Sequence, residues 1–118
     1  MTIPYVDGSG SSSGSGTGLT PVAVNSGTVA AATGQLLQCN YTATGAVAVT
    51  LPATGTVALT DSGNKCCTNH ITITPPSGDS INFGAANAAL VLGTGEFAVN
   101  GVSITLTRNA VTSNWEVS

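Results

Sequence analysis

The chain has 118 residues, enough for one modest core and too few for two. Hydrophobic residues make up 42% but aromatics only 4%, so the core must be assembled from Val, Leu, Ile and Ala. Charged residues are 6%, with 2 Lys and Arg together and a net charge of −3, which excludes the basic patch that phosphate-led nucleic-acid binding needs.

The chain opens on MTIPYVD, a short apolar peptide with no basic region ahead of it, so it does not read as a signal peptide. GSGSSSGSGTG follows at 8–18, a run that buries nothing and reads as a flexible tether. Together, 1–18 look like an N-terminal arm and linker, and 19–118 like a single β-domain. No apolar run reaches the roughly 18 residues of a membrane span.

From residue 20 onward the pattern is one of strands. Pro21–Val24 makes a first short one, closed by an Asn25-Ser26-Gly27 turn, and Gln35–Tyr41 a second. In Ala46–Leu51, residues Val47, Val49 and Leu51 share one face at period two, and Pro52 ends the run. Val57–Thr60 leads into Asp61-Ser62-Gly63-Asn64, a turn sequence. His70–Thr74 alternates with Ile71 and Ile73 inward until Pro75-Pro76 stops it. Ile81–Phe83 and Ala88–Leu92 are short apolar runs, with at most one helical turn over Ala85–Ala89. Glu96–Val99 is predicted to turn at Asn100-Gly101, a strong hairpin signal, into Val102–Thr107, with Asn114–Val117 last. Some eight to ten short strands with turn signals between them predict an all-β fold. Its expected form is a small antiparallel β-sandwich or jelly-roll-like barrel with a flexible N-terminal arm. Val47, Val49, Ile71, Ile73, Ile104 and Leu106 are its expected core.

Reactive residues gather in one place, GNKCCTNHITITPPSGDSI at 63–81, which holds Cys66, Cys67 and the sole histidine, His70. Cys-Cys-x-x-His offers soft metal ligands, and Cys39 could add another. Yet adjacent cysteines on a strand point to opposite faces, and zinc sites favour paired ligands a few residues apart. A disulfide from Cys39 to Cys66 or Cys67 is open, and so is a threefold assembly that brings three copies of His70 onto an axis. The plainer reading is free thiols acting as small hydrophobes in a protein made in a reducing cytoplasm. Asp7, Asp61, Asp79, Glu96 and Glu116 are scattered over separate turns and strands, which leaves no recognisable acid–base pair. The expectation is therefore no catalytic residue, no metal and no cofactor. Asn40-Tyr41-Thr42 matches a glycosylation acceptor but lacks the secretory context, and the Thr-x-Thr pairs at 72/74 and 105/107 read as outward strand faces.

AVAVTLPATGTVALTDSGN, then HITITPPSGDSINFG, then SITLTRNAVTSNWEVS resembles a small β-domain recurrent in tailed-phage virion proteins. The resemblance runs over residues 36–118 and rests on Asn69-His70-Ile71-Thr72-Ile73, Gly78-Asp79-Ser80-Ile81 and Asn114-Trp115. Lys65-Cys66-Cys67 departs from it, where small or polar loop residues are usual, and so does Asn82-Phe83-Gly84. It implies a homotrimeric structural protein of the virion. With the module and its arm making up the sequence, the expected role is a capsid decoration (cement) protein on the outside of a phage head. Its partners would be itself and the major capsid protein, with neither nucleic acid nor membrane. Capsid contact is expected from the arm at Thr2, Ile3, Pro4, Tyr5, Val6 and Asp7. A head- or tail-fibre knob, or a host receptor (carbohydrate)-binding module, is the alternative.

Overall fold

The alternation of β-branched and small residues becomes ten strands in a computed structural model that describes residues 18–118. They are β1 (Thr20–Val24), β2 (Thr28–Ala30), β3 (Gln35–Cys39), β4 (Val47–Thr50), β5 (Thr56–Thr60), β6 (Ile71–Thr74), β7 (Ser80–Ile81), β8 (Leu90–Leu92), β9 (Ser103–Asn109) and β10 (Asn114–Val117). Short 3-10 turns at Tyr41–Ala43 and Gly95–Phe97 are the only helical pieces among the described residues. β4 stops before Pro52 and β6 before Pro75, because proline cannot donate to a ladder.

Two mixed sheets form a sandwich-like body. One has the order β1-β3-β5-β9-β10-β7 and the other β2-β4-β6-β8. Between them lies a single cluster of aliphatic side chains with Trp115 buried at one end. All six expected core residues are in it: Val49, Ile71, Ile73 and Leu106 are completely buried, and Val47 and Ile104 nearly so. In β4 one face turns inward, so Val47 and Val49 are buried while Ala48 and Thr50 are exposed; in β5 Val57, Ala58 and Leu59 are all buried.

The expected antiparallel arrangement does not hold. β1 with β3, β3 with β5, β2 with β4 and β4 with β6 are all parallel, as is β7 with β10. Antiparallel pairing is confined to β5 with β9, β9 with β10 and β6 with β8. The chain alternates between the sheets, so its first six strands wind as three stacked coils of growing length. Thr20 sits beside Gln35, fifteen residues on, and Gln35 beside Val57, twenty-two on. In the second sheet Thr28 sits beside Ala48 and Val47 beside Ile71, twenty and twenty-four residues on. β8 and β9 then run against the coils, and β10, antiparallel to β9, runs with them again beside β7. The parallel pairs rule out an antiparallel jelly roll, and among the described residues both sheets end in unpaired edges, so the body is not a closed barrel.

The Asn100-Gly101 hairpin also fails to form. Residues 95–97 make a 3-10 turn, and β9 instead lies between β5 and β10. Gly93, at φ +104°, shows why the chain bends here: a Cβ would strike the Cys66 carbonyl and the His70 ring.

Candidate functional site

Asp61, at the end of β5, is 2% exposed and accepts four hydrogen bonds. The Thr42 hydroxyl (2.7 Å) and the Lys65 N–H (3.4 Å) reach Oδ1. The N–H groups of Cys66 and Gly101, each at 2.9 Å, reach Oδ2. One carboxylate thus ties the 3-10 turn after β3, the Lys65-Cys66 loop and the loop before β9 to the core strand β5. Burial alone would raise its pKa. Donation from Gly101, Thr42 and Cys66 outweighs burial and brings the carboxyl down from 3.8 to about 2.

The rare residues of 63–81 surround this hub without making a ligand set. Cys66 is completely buried, and its Sγ donates to the Val99 carbonyl at 3.2 Å. Burial, with the Asp61 carboxylate beside it, pushes its thiol up to about 12. Cys39, buried on β3, is pushed up to about 11 by burial and then by Asp61. Both are neutral thiols at physiological pH, the form that neither attacks nor binds metal well. Cys67 is exposed and all three cysteines are free. The His70 Nδ1 lies 2.8 Å from the Cys66 carbonyl, which only accepts, so Nδ1 carries the proton. Among the described residues no three His, Cys, Asp or Glu side chains converge to hold a metal ion.

A second polar knot fastens the other end. Asp79 accepts from Arg108 Nε at 2.7 Å, from Arg108 Nη2 at 3.2 Å and from Trp115 Nε1 at 3.1 Å. The Arg108 hydrogen bond holds the Asp79 carboxyl below the usual range against burial, and Trp115 adds to this. Asn114 Oδ1 accepts from the Ser80 hydroxyl and the Phe83 N–H, and β7 runs beside β10. Gly78-Asp79-Ser80-Ile81 and Asn114-Trp115, far apart in sequence, are therefore neighbours in the fold. Asn69 Nδ2 likewise donates to the Thr42 carbonyl beside Asp61. Each of these motifs has a structural task.

The outer faces of the sheets are unusual in having almost no charge. Across the larger sheet one row runs Pro21, Leu36, Ala58, Thr105, flanked by Thr56, Thr60, Ser103 and Thr107. Thr56 bonds Thr107 and Ser103 bonds Thr60, so paired hydroxyls turn inward on one another. A shallow apolar depression of about 200 Å³ lies here, bounded by Leu19, Leu36, Ala58 and Ser118. The smaller sheet shows Thr28, Ala48, Thr72 and Val91 in one row and Ala30, Thr50 and Thr74 in the next. Among the described strand residues, Glu116 is the only charged side chain on either outer face. Thr2, Ile3, Pro4, Tyr5, Val6 and Asp7, expected to contact a capsid, lie outside the described residues.

No protein-family model matches this chain, and no curated protein is significantly similar to it.

Proposed function

We propose that this chain is a structural virion protein, a homotrimeric capsid decoration protein that stabilises the outside of a phage head. The observation that carries this reading is the pair of nearly uncharged outer faces. A lone protein of this size relies on surface charge to stay dispersed. Faces of Thr, Ala and Leu with self-satisfied hydroxyls suit burial against sister subunits or a shell. The polar chemistry of the chain supports it too: the buried acids and the Cys66 thiol are engaged in holding loops. Residues 2–7 are assigned to capsid contact, with three arms per trimer multiplying weak attachments through effective concentration.

A fibre module is the second reading, favoured by coils whose first edge, at β1 and β2, carries no further strand among the described residues. Pro21 ranks it lower. Thr20 N–H bonds the Gly34 carbonyl, so the next nitrogen, that of Pro21, faces the open side and has no proton to give a further strand.

Two measurements test the proposal. Size-exclusion chromatography with light scattering should give a trimer at micromolar concentration, and a clean monomer would count heavily against it. The protein should bind expanded, empty heads, and deletion of residues 1–18 should abolish binding; normal decoration by the truncated form would remove the arm from the mechanism.

A further inference from the structure

The Asn100-Gly101 pair forms no hairpin, yet its two polar groups are both held. The Gly101 N–H donates to Asp61 Oδ2 at 2.9 Å, and Asn100 Oδ1 accepts from the Cys67 N–H at 3.0 Å. Asn-Gly is the sequence most open to spontaneous deamidation, because glycine has no side chain to hinder attack by its own nitrogen. Asn100 is the only asparagine in the chain followed by glycine, and it is exposed to water.

We propose that Asn100 is a latent deamidation site that the fold keeps closed through Asp61 and Cys67. In the reaction a water-derived base takes the Gly101 amide proton and the nitrogen bonds to Asn100 Cγ. Nδ2 leaves with a proton as ammonia, giving a five-membered cyclic imide. Water then opens either imide carbonyl to leave aspartate or isoaspartate, so the net exchange is water in and ammonia out.

Three features of the folded chain oppose the first step. The Asp61 charge disfavours an amide anion beside it. The bond from Gly101 to Asp61 fixes the attacking nitrogen, and the bond from Cys67 fixes the carboxamide that must swing toward it. The reactive form is then the locally opened loop, whose population sets the rate. Once formed, the product opposes reclosure. Either isomer sets a second carboxylate near Asp61, and isoaspartate lengthens the backbone between Asn100 and the Gly101 N–H. Opening of the hub would thus be recorded as a permanent covalent change.

The test incubates the full chain in mildly alkaline buffer, folded and in concentrated urea, and follows ammonia loss at Asn100 by peptide mass spectrometry. Deamidation in the folded protein should be roughly tenfold slower or more, as expected for a reaction gated by local opening. Equal rates, or a faster folded rate with Asp61 acting as a base, would overturn the proposal. Asp61→Asn, shown to be folded by circular dichroism, should deamidate at Asn100 at close to the urea rate. If that variant does not fold, Thr42→Val, which removes one donor from the hub, should accelerate the reaction in the same direction. An unchanged rate in whichever variant is folded would also sink the idea.

Discussion

Asp61 shows how a residue that reads as a turn former becomes the centre of a fold. Its side chain joins three loops to β5, so Asp61→Ala strands four donors, three of them backbone N–H groups. The expected loss is about 2–4 kcal/mol, read as a lower urea midpoint. The acid limb follows from the same residue. A carboxyl held at about 2 in the fold and near 3.8 when free stabilises the protein above 3.8 and loses that contribution as pH falls through about 2. This amounts to about 2 kcal/mol, and Asp61→Asn should flatten the corresponding part of a stability-against-pH curve. The thiols offer a separate check. Of the 3 cysteines, only the exposed Cys67 should react promptly with a thiol reagent under native conditions, and all should react in urea. Prompt reaction of Cys39 or Cys66 would contradict their burial. Cys66, Cys67 and His70 stand out in the sequence because they are rare. The organising acid was legible only as Asp at the head of Ser-Gly-Asn, since nothing local marks which donors a loop will deliver from forty residues away.

At the scale of strands, what could be read was what period two and proline encode. β4, β6 and β10 lie where alternation and Pro52 or Pro75 put them, and the burial of Ile71 and Ile73 follows. Ile73→Ala should cost about 2–5 kcal/mol in chemical denaturation. Strand direction was not legible, because a strand of alternating Val and Thr looks the same beside a parallel or an antiparallel neighbour. Coils of unequal length also leave no fixed repeat to detect. β2 leaves no mark in the sequence because Thr28–Ala30 is only three residues, and Glu96–Val99 reads as a strand because its apolar content outweighs the bend at Gly95. β1 carries a prediction of its own. Pro21→Val restores an N–H at an open sheet edge and should raise association in light scattering, with no change in native circular dichroism.

For the whole molecule, the consequential property is its thinness: a body of 39 × 37 × 23 Å, built from two sheets with charge-poor faces on its broad sides. Under the proposed function neither face remains bare once subunits assemble. Thr105→Glu puts a charge beside Ala58 and the apolar depression on the larger sheet. If that face joins subunits, the variant should run as a monomer while keeping its fold; a trimer identical to the parent would move the seam to another surface.

The stacked coils also imply an order of assembly. Each parallel coil reaches back only to the one before it, at separations of fifteen to twenty-four residues, so winding can proceed by short loop closures. β9 is different: it must find β5 across the span from Thr60–Ser103 to Thr56–Thr107. The slow step of folding should therefore be the docking of this one strand, which carries Ile104 and Leu106 into the core. A chain pulled from its C-terminus would meet its main mechanical resistance there, with the wound coils giving way only after the latch is lost.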